Sequence, residues 1–156
     1  MKHKAEIIPA TIEHCHQMAP HMRKDDVDEI WALCAMKPLE ALLYSVQDSK
    51  EAFTAVLPDN EVPVLMFGLG GKANVLDKRR SIWLLGTPQI SKIKRQFIKE
   101  SEEYFKTLAA GETVYNYVMP QNRASLSWLK MLGFSIMEAK PYGWLGKPYH
   151  YVERKF

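Results

Sequence analysis

Asn122-Arg-Ala-Ser-Leu-Ser-Trp-Leu-Lys-Met-Leu-Gly-Phe134 is the stretch whose reading decides the fold. Asn122 opens a short amphipathic helix, because its side-chain oxygen can accept a hydrogen bond from a free N–H of the first turn. Gly133 stops that helix. It can take the left-handed backbone conformation, and Phe134 can then pack back onto the last turn. Just upstream, Thr113-Val-Tyr-Asn-Tyr-Val-Met119 is rich in aromatic and β-branched residues and reads as a strand. Ser135-Ile-Met-Glu138 reads as the strand that follows the helix.

Outward from this unit, Ala5-Glu-Ile-Ile-Pro-Ala10 reads as a first strand, with Thr11 as N-cap of the helix behind it. Val27, Ile30, Trp31 and Cys34 recur at i, i+3, i+4 and i+7, and Leu39, Leu42, Leu43 and Val46 repeat the spacing. Pro38 suits a first helical turn, so these are two amphipathic helices or one helix broken at Lys37-Pro38. Residues 52–57 and 62–69 flank the turn Pro58-Asp-Asn-Glu61 as a hairpin. Gly70-Gly71 and the charged run to Arg80 read as an exposed loop. Ser81-Ile-Trp-Leu-Leu85 is nearly all apolar, as expected of a central strand covered on both faces. Ile93, Phe97, Tyr104 and Leu108 mark the apolar face of a long helix ending near Gly111. Tyr149-His-Tyr-Val152 closes the chain as a strand. The order is β-α-α-β-β-β-α-β-α-β-β, in one α/β domain over residues 1–156.

The chain has 156 residues, 47% hydrophobic and 25% charged, which suits one domain with its own core. No long uncharged apolar run is present, and Met1-Lys-His-Lys-Ala-Glu6 lacks the apolar stretch of a signal peptide, so a cytoplasmic protein without a membrane partner is expected. Cys15 and Cys34 fit reduced thiols better than a disulfide framework. The net charge of +3 hides an asymmetry: residues 25–61 carry nine acids against two bases, and residues 72–99 carry eight bases against one acid. Such a split suits an enzyme that joins an anionic cofactor to a cationic amine, although solvated faces also carry unequal charge. His14, Cys15, His16 and His21 look metal-like, but on a helix His14 and His16 point about 200° apart, so no metal is expected. Lys78-Arg-Arg80 has no stacking aromatics interleaved with it, which argues against nucleic acid as a partner.

Strand, Asn, helix, Gly-Phe, strand resembles the last conserved segment of the GCN5-related N-acetyltransferase (GNAT) superfamily, and the element order resembles the GNAT order along nearly the whole chain. Ile8-Pro-Ala-Thr-Ile-Glu13 is similar to the usual opening of GNAT chains. Together with His21-Met-Arg-Lys-Asp-Asp-Val27, Pro38-Leu-Glu-Ala-Leu-Leu43 and Trp128 to Phe134, it also resembles small GNAT-like proteins that tailed bacteriophages encode near their virion genes. The resemblance implies a GNAT-like acyl-CoA N-acyltransferase fold: a mixed, twisted sheet with helices on both faces. Its central strands, residues 81–85 and 113–119, should splay apart at one end to admit the pantetheine arm of acetyl-CoA. It further implies that the pantetheine lies along Trp83, Leu84, Leu85 and Gly86, and the pyrophosphate against Ile90, Ser91, Lys92, Ile93, Lys94 and Arg95. Asn122 should then sit near the thiol, with Ser125 and Leu129 of the same helix also against the cofactor.

Two positions depart from the family pattern. The family's phosphate loop reads [Gln/Arg]-x-x-Gly-x-[Gly/Ala]; here Gln89-Ile-Ser-Lys-Ile-Lys94 puts Lys92 and Lys94 at the glycine positions. Either these bases hold phosphates by charge, or the loop no longer binds coenzyme A. Where many members place a proton-donating Tyr, seven residues after the Asn, stands Leu129, and residues 81–86 offer no carboxylate base. The acid and base must then come from elsewhere. Arg23, Asp26 and Glu29, at i, i+3 and i+6, can share one helical face. Glu29, then Asp26, is the expected base, and Tyr117, ahead of Tyr115, the expected acid; Tyr142 is a weaker candidate. Two functions are therefore open. One is an N-acetyltransferase acting by direct attack of an amine, whether a protein Lys or N-terminus of host or phage, or a small amine. The other is an inactive GNAT-fold phage protein used in virion assembly or protein interaction, located in the host cytoplasm or the virion. The oligomeric state is open, with a homodimer as one option.

Overall fold

The computed structural model describes residues 4–71 and 76–156; residues 1–3 and part of the expected charged loop, Lys72 included, lie outside the described residues. Strand β1 (Glu6–Pro9) leads into α1 (Ile12–Met18). Thr11 caps α1 as expected, in a reciprocal box: its hydroxyl accepts the His14 N–H at 3.2 Å, and His14 Nδ1 accepts the Thr11 N–H at 3.1 Å. A short 3₁₀ turn precedes α2 (Lys24–Cys34), and α3 (Pro38–Asp48) follows with its proline in the first turn. The chain is thus broken before Pro38, at Ala35, whose φ of 56° ends α2. Strands β2 (Ser49–Val56), β3 (Leu65–Gly70) and β4 (Arg79–Gly86) come next. β3 starts later than the sequence implies, and Pro63, having no N–H, cannot donate to a ladder there. A 3₁₀ turn over Pro88–Lys92 leads into α4 (Lys94–Leu108), then β5 (Thr113–Val118) and α5 (Arg123–Met131). The chain ends with β6 (Ser135–Ile136), β7 (Lys140–Tyr142) and β8 (Lys147–Lys155). β7 and a third helix ahead of β2 are additions to the expected order.

The strands form one mixed sheet in the order β1-β2-β3-β4-β5-β8-β6, with β7 also on β8. Every pairing is antiparallel except β4 with β5. Side chains alternate across it with a period of two. Leu65, Phe67 and Leu69 of β3 and Ile82 and Leu84 of β4 pack with Phe97 and Phe105 of α4 and Trp128 and Leu129 of α5. Met66, Trp83 and Leu85 point the other way, toward Cys15 and Met18 of α1 and Leu42 of α3. The Asn122–Phe134 unit folds as its sequence demands. Gly133 has φ 81°, the Phe134 N–H bonds the Leu129 carbonyl and the Gly133 N–H bonds that of Lys130, which is a Schellman closure with Phe134 buried behind it.

Two expectations are corrected. The apolar stripe of α2 is buried only in part: Ile30 packs on the core and Val27 is half-buried, but Trp31 is 46% exposed and Cys34 is exposed, whereas Asp26 is 2% exposed. Arg80 is no loop residue. It lies buried in β4, where its Nε donates to Glu112 Oε2 at 2.6 Å and its Nη1 to the Gly70 carbonyl at 3.1 Å.

Candidate active site

β4 and β5 pair only over Arg79–Thr113, Arg80–Val114 and Ser81–Tyr115. Beyond that the ladder opens, as a GNAT-like sheet requires. The cause lies in the β5 sequence. In this register the next rung would run from the Tyr117 N–H to the Ile82 carbonyl. Asn116 instead takes the Tyr117 N–H on its own Oδ1, at 2.8 Å. A short polar side chain that competes for backbone donors thus stops the strands from zipping.

Backbone groups stranded in the gap must find partners elsewhere, and α2 supplies them. Arg23, Asp26 and Glu29 do share one face. The Gly86 N–H donates to Asp26 Oδ2 at 3.0 Å, and the Gly86 carbonyl accepts the Arg23 N–H at 2.8 Å. Across the gap, the N–H of Met119, the residue after β5, donates to Glu29 Oε2 at 3.0 Å. Asn122, 1% exposed, ties these together. Its Nδ2 donates to Asp26 Oδ1 (3.2 Å) and Glu29 Oε2 (3.0 Å); its Oδ1 accepts from Arg23 Nη2 (3.0 Å) and the Ser125 N–H (3.4 Å). Arg23 Nη1, 3.6 Å from Asp26 Oδ2, is buried without a hydrogen-bond acceptor among the described residues. Burial pushes the Glu29 carboxyl up to about 7, against the bonds from Asn122 and Met119 that favour its charged form. Burial likewise raises Asp26, opposed by Arg23 and the Gly86 N–H.

A pocket lies on each side of this gap. One, about 190 Å³, is walled by α4 and α5 through Phe97, Ile98 and Trp128, with Ile90, Ser91 and Lys94 at the α4 start. The other, about 340 Å³, is walled by α2 and α3, with Glu29, Trp83, Leu85 and Tyr117 among its lining. Leu84 lines both. Like Gly86, two residues on, Leu84 directs its N–H toward the β5 side. The remaining candidates divide. Ser125 is buried on the Asn122 cap and Ile93 in the core. Lys92 and Arg95 are exposed at the start of α4, while Lys94 Nζ reaches Ser127 Oγ of α5 at 3.3 Å. Leu129 is fully buried in the core.

Tyr117 stacks on Tyr142, ring centroids 3.8 Å apart and nearly parallel, and Tyr115 stacks on Tyr151. Arg79 lies over the Tyr115 ring at 4.7 Å and donates to the Tyr151 hydroxyl. Two of the three bases of the expected run are therefore engaged internally, Arg79 on tyrosines and Arg80 on Glu112. The hairpin of β7 and β8 turns at Gly143 (φ 78°), where a Cβ would meet the Ala32 carbonyl at 3.1 Å, and Trp144 Nε1 bonds the Trp31 carbonyl at 2.7 Å. Among the described residues no group of His, Cys, Asp and Glu is placed to hold a metal ion, and no helix is long and apolar enough to cross a membrane. Sequence reasoning named Asp26, Glu29 and Asn122 but missed their meeting, the main-chain donors of Gly86 and Met119, and the role of Asn116. An Asn inside an otherwise β-forming run was the available signal.

No family model and no curated protein matches the chain. Solved structures do. The chain is similar to an acetyltransferase of the GNAT family from Bacillus anthracis, at 12% identity and TM-score 0.66, covering 99% of this chain and 98% of that one. A ribosomal-protein-S5-alanine acetyltransferase from Vibrio fischeri gives 12% identity and TM-score 0.68 over 99% and 94%. A spermidine N-acetyltransferase from Vibrio cholerae, solved with CoA and spermine, gives 12% identity and TM-score 0.69 over 97% and 95%. At this identity what is shared is architecture, and the architecture is that of the GNAT acetyltransferases.

Proposed function

We propose that the protein is an acyl-CoA-dependent N-acetyltransferase in which Glu29 takes the proton from the acceptor amine. One observation carries this reading: a carboxyl raised to about 7 lines a pocket that meets a second, apolar pocket at an open strand gap. A general base works best when its pKa lies near the operating pH. Acetyl-CoA would supply the acyl group as an activated thioester. The residues present fit it in part. Leu84, Phe97 and Trp128 offer an apolar slot for the pantetheine arm, and Lys92, Lys94 and Arg95 offer charge to the phosphates at a helix start that otherwise opposes three bases. The Leu84 N–H, directed into the gap, is the donor available to a polarised carbonyl. Glu29 Oε1, which no donor reaches among the described residues, receives the amine proton. Water or the Tyr117 hydroxyl returns one to the departing thiolate, itself a tolerable leaving group.

The test is thiol release from acetyl-CoA with amine acceptors across pH 6 to 9. Activity should climb through pH 7 and level off as Glu29 ionises. Calorimetry with acetyl-CoA should show binding that Lys94→Glu weakens. A competing reading, a GNAT-fold protein without turnover that serves in phage particle assembly, draws support from Asp26, which holds the Gly86 N–H, and from the lysines at the two glycine positions. No heat at millimolar acetyl-CoA and no thiol release would favour it.

A further inference from the structure

The α2–α3 pocket has a composition that speaks to its ligand. Glu29 is the one charged side chain among its described lining residues, and it stands on the wall nearest the strand gap. The other walls are mostly apolar or aromatic, Ile30, Leu33 and Met36 from α2 and its exit, Tyr44 from α3 and Trp83 from β4, with Ser45, Asn116 and the tyrosine hydroxyls as uncharged polar groups. The Trp83 indole N–H is already taken by Ser49 Oγ at 2.7 Å, and the Asn116 side-chain oxygen by the Tyr117 N–H, so neither of these two groups is left to a ligand. Glu29 Oε2 is likewise committed, to Asn122 and Met119, which leaves Oε1 as the open acceptor.

We infer that this pocket takes a primary monoamine carried on an aromatic or otherwise apolar body, the amine on Glu29 Oε1 and the body against Tyr44 and Trp83. The inference rests on the transferase reading, whose acceptor it specifies. A single carboxylate matches a single ammonium. A polyamine would bring further ammonium groups into apolar walls with no counter-charge, and desolvating an unpaired charge is costly. A peptide N-terminus would bring amide groups for which these walls hold few partners. The volume, about 340 Å³, is at the small end of ligand pockets and suits a compact body. An ammonium over an aromatic wall gains further attraction from the ring face.

The experiment is calorimetry on the full chain without acetyl-CoA at pH 8, using 2-phenylethylamine, 2-phenylethanol, spermidine and an alanine-initiated tripeptide as probes. The amine should bind about tenfold more tightly than the alcohol, the size expected of one hydrogen bond to a charged group. Spermidine and the tripeptide should bind more weakly than 2-phenylethylamine. Glu29→Gln should bring amine and alcohol to similar affinity. Tyr44→Ala, at an exposed rim position, should weaken 2-phenylethylamine without changing spermidine, and it carries the test should Glu29→Gln fail to fold. Preference for spermidine or the tripeptide, or equal binding of amine and alcohol by the wild type, overturns the inference. The transferase reading fails separately: if 2-phenylethylamine binds in the stated order but no thiol is released from acetyl-CoA, the pocket assignment stands and the reaction does not.

Discussion

The two ends of the β4–β5 pair satisfy the same kind of backbone groups in different ways. At the Arg79–Ser81 end, strand bonds strand, and a buried Arg80–Glu112 ion pair sits against the ladder. At the Gly86–Met119 end, the strands are not paired, and helix α2 reaches in with Asp26 and Glu29 to hold what the ladder leaves free. A backbone rung cannot titrate or swing away. A carboxylate can do both. The closed end is therefore built to stay shut, and the open end is held by groups that pH or a ligand can displace.

The largest effect should come from breaking the closed end. Glu112→Ala leaves the Arg80 guanidinium buried without its partner, which should cost about 3–5 kcal/mol by denaturant unfolding. At the open end, Asn122→Ala removes a helix cap and the donors to both acids; about 2–4 kcal/mol is expected, smaller because the carboxyls can protonate. If Asn122→Ala costs more than Glu112→Ala, the open end is the true keystone and the contrast is reversed.

Glu29→Gln sharpens the contrast through pH. The folded carboxyl holds its proton more tightly than the unfolded one, whose pKa is near 4.5, so wild-type stability should fall as pH rises from about 4.5 through about 7. Melting temperatures from pH 5 to 8 should decline in the wild type and stay flatter in Glu29→Gln, with some slope left by Asp26. The same variant should bind acetyl-CoA normally yet turn over at least about tenfold more slowly, a modest share of the usual general-base effect. If it keeps full activity while Tyr117→Phe loses it, the base and acid are assigned the wrong way round. The smallest effect is expected of Asn116→Ala, which frees the Tyr117 N–H at about 0.5–1.5 kcal/mol. Hydrogen exchange at that amide should quicken; unchanged protection would mean that another acceptor takes the Tyr117 N–H once the Asn116 side chain is gone.

What the sequence made legible was local. Asn122 to Phe134 could be read as cap, helix, left-handed glycine and returning Phe because every partner lies within a few positions, and the structure matches it bond for bond. The splay could be anticipated only through resemblance. Its local agent, Asn116, passed unnoticed inside an aromatic strand. Asp26 and Glu29 were singled out by spacing, but nothing local says that Asn122, more than ninety residues on, is their common donor. Periodicity was only half right on α2: Ile30 packs on the core, but the most buried position carries an acid and the tryptophan of the apolar stripe is left for the β7–β8 turn to meet. Lys92 and Lys94 were legible as departures, and their charge is all that the fold adds to.

Leu84 borders both pockets, and that shared wall limits how the protein can change over time. Positions 44 and 90 each belong to one chamber, so drift at either can retune one ligand while the other is left alone. Position 84 is shared unequally: its side chain stands on the α4–α5 face, while Trp83 and Leu85 face the other chamber. A smaller or larger residue there would retune the α4–α5 slot, and the strand backbone itself keeps the two chambers apart. A lineage that adopted a new acceptor would therefore be expected to alter positions 44, 83 and 85 and to leave the side chain at 84 to the other ligand.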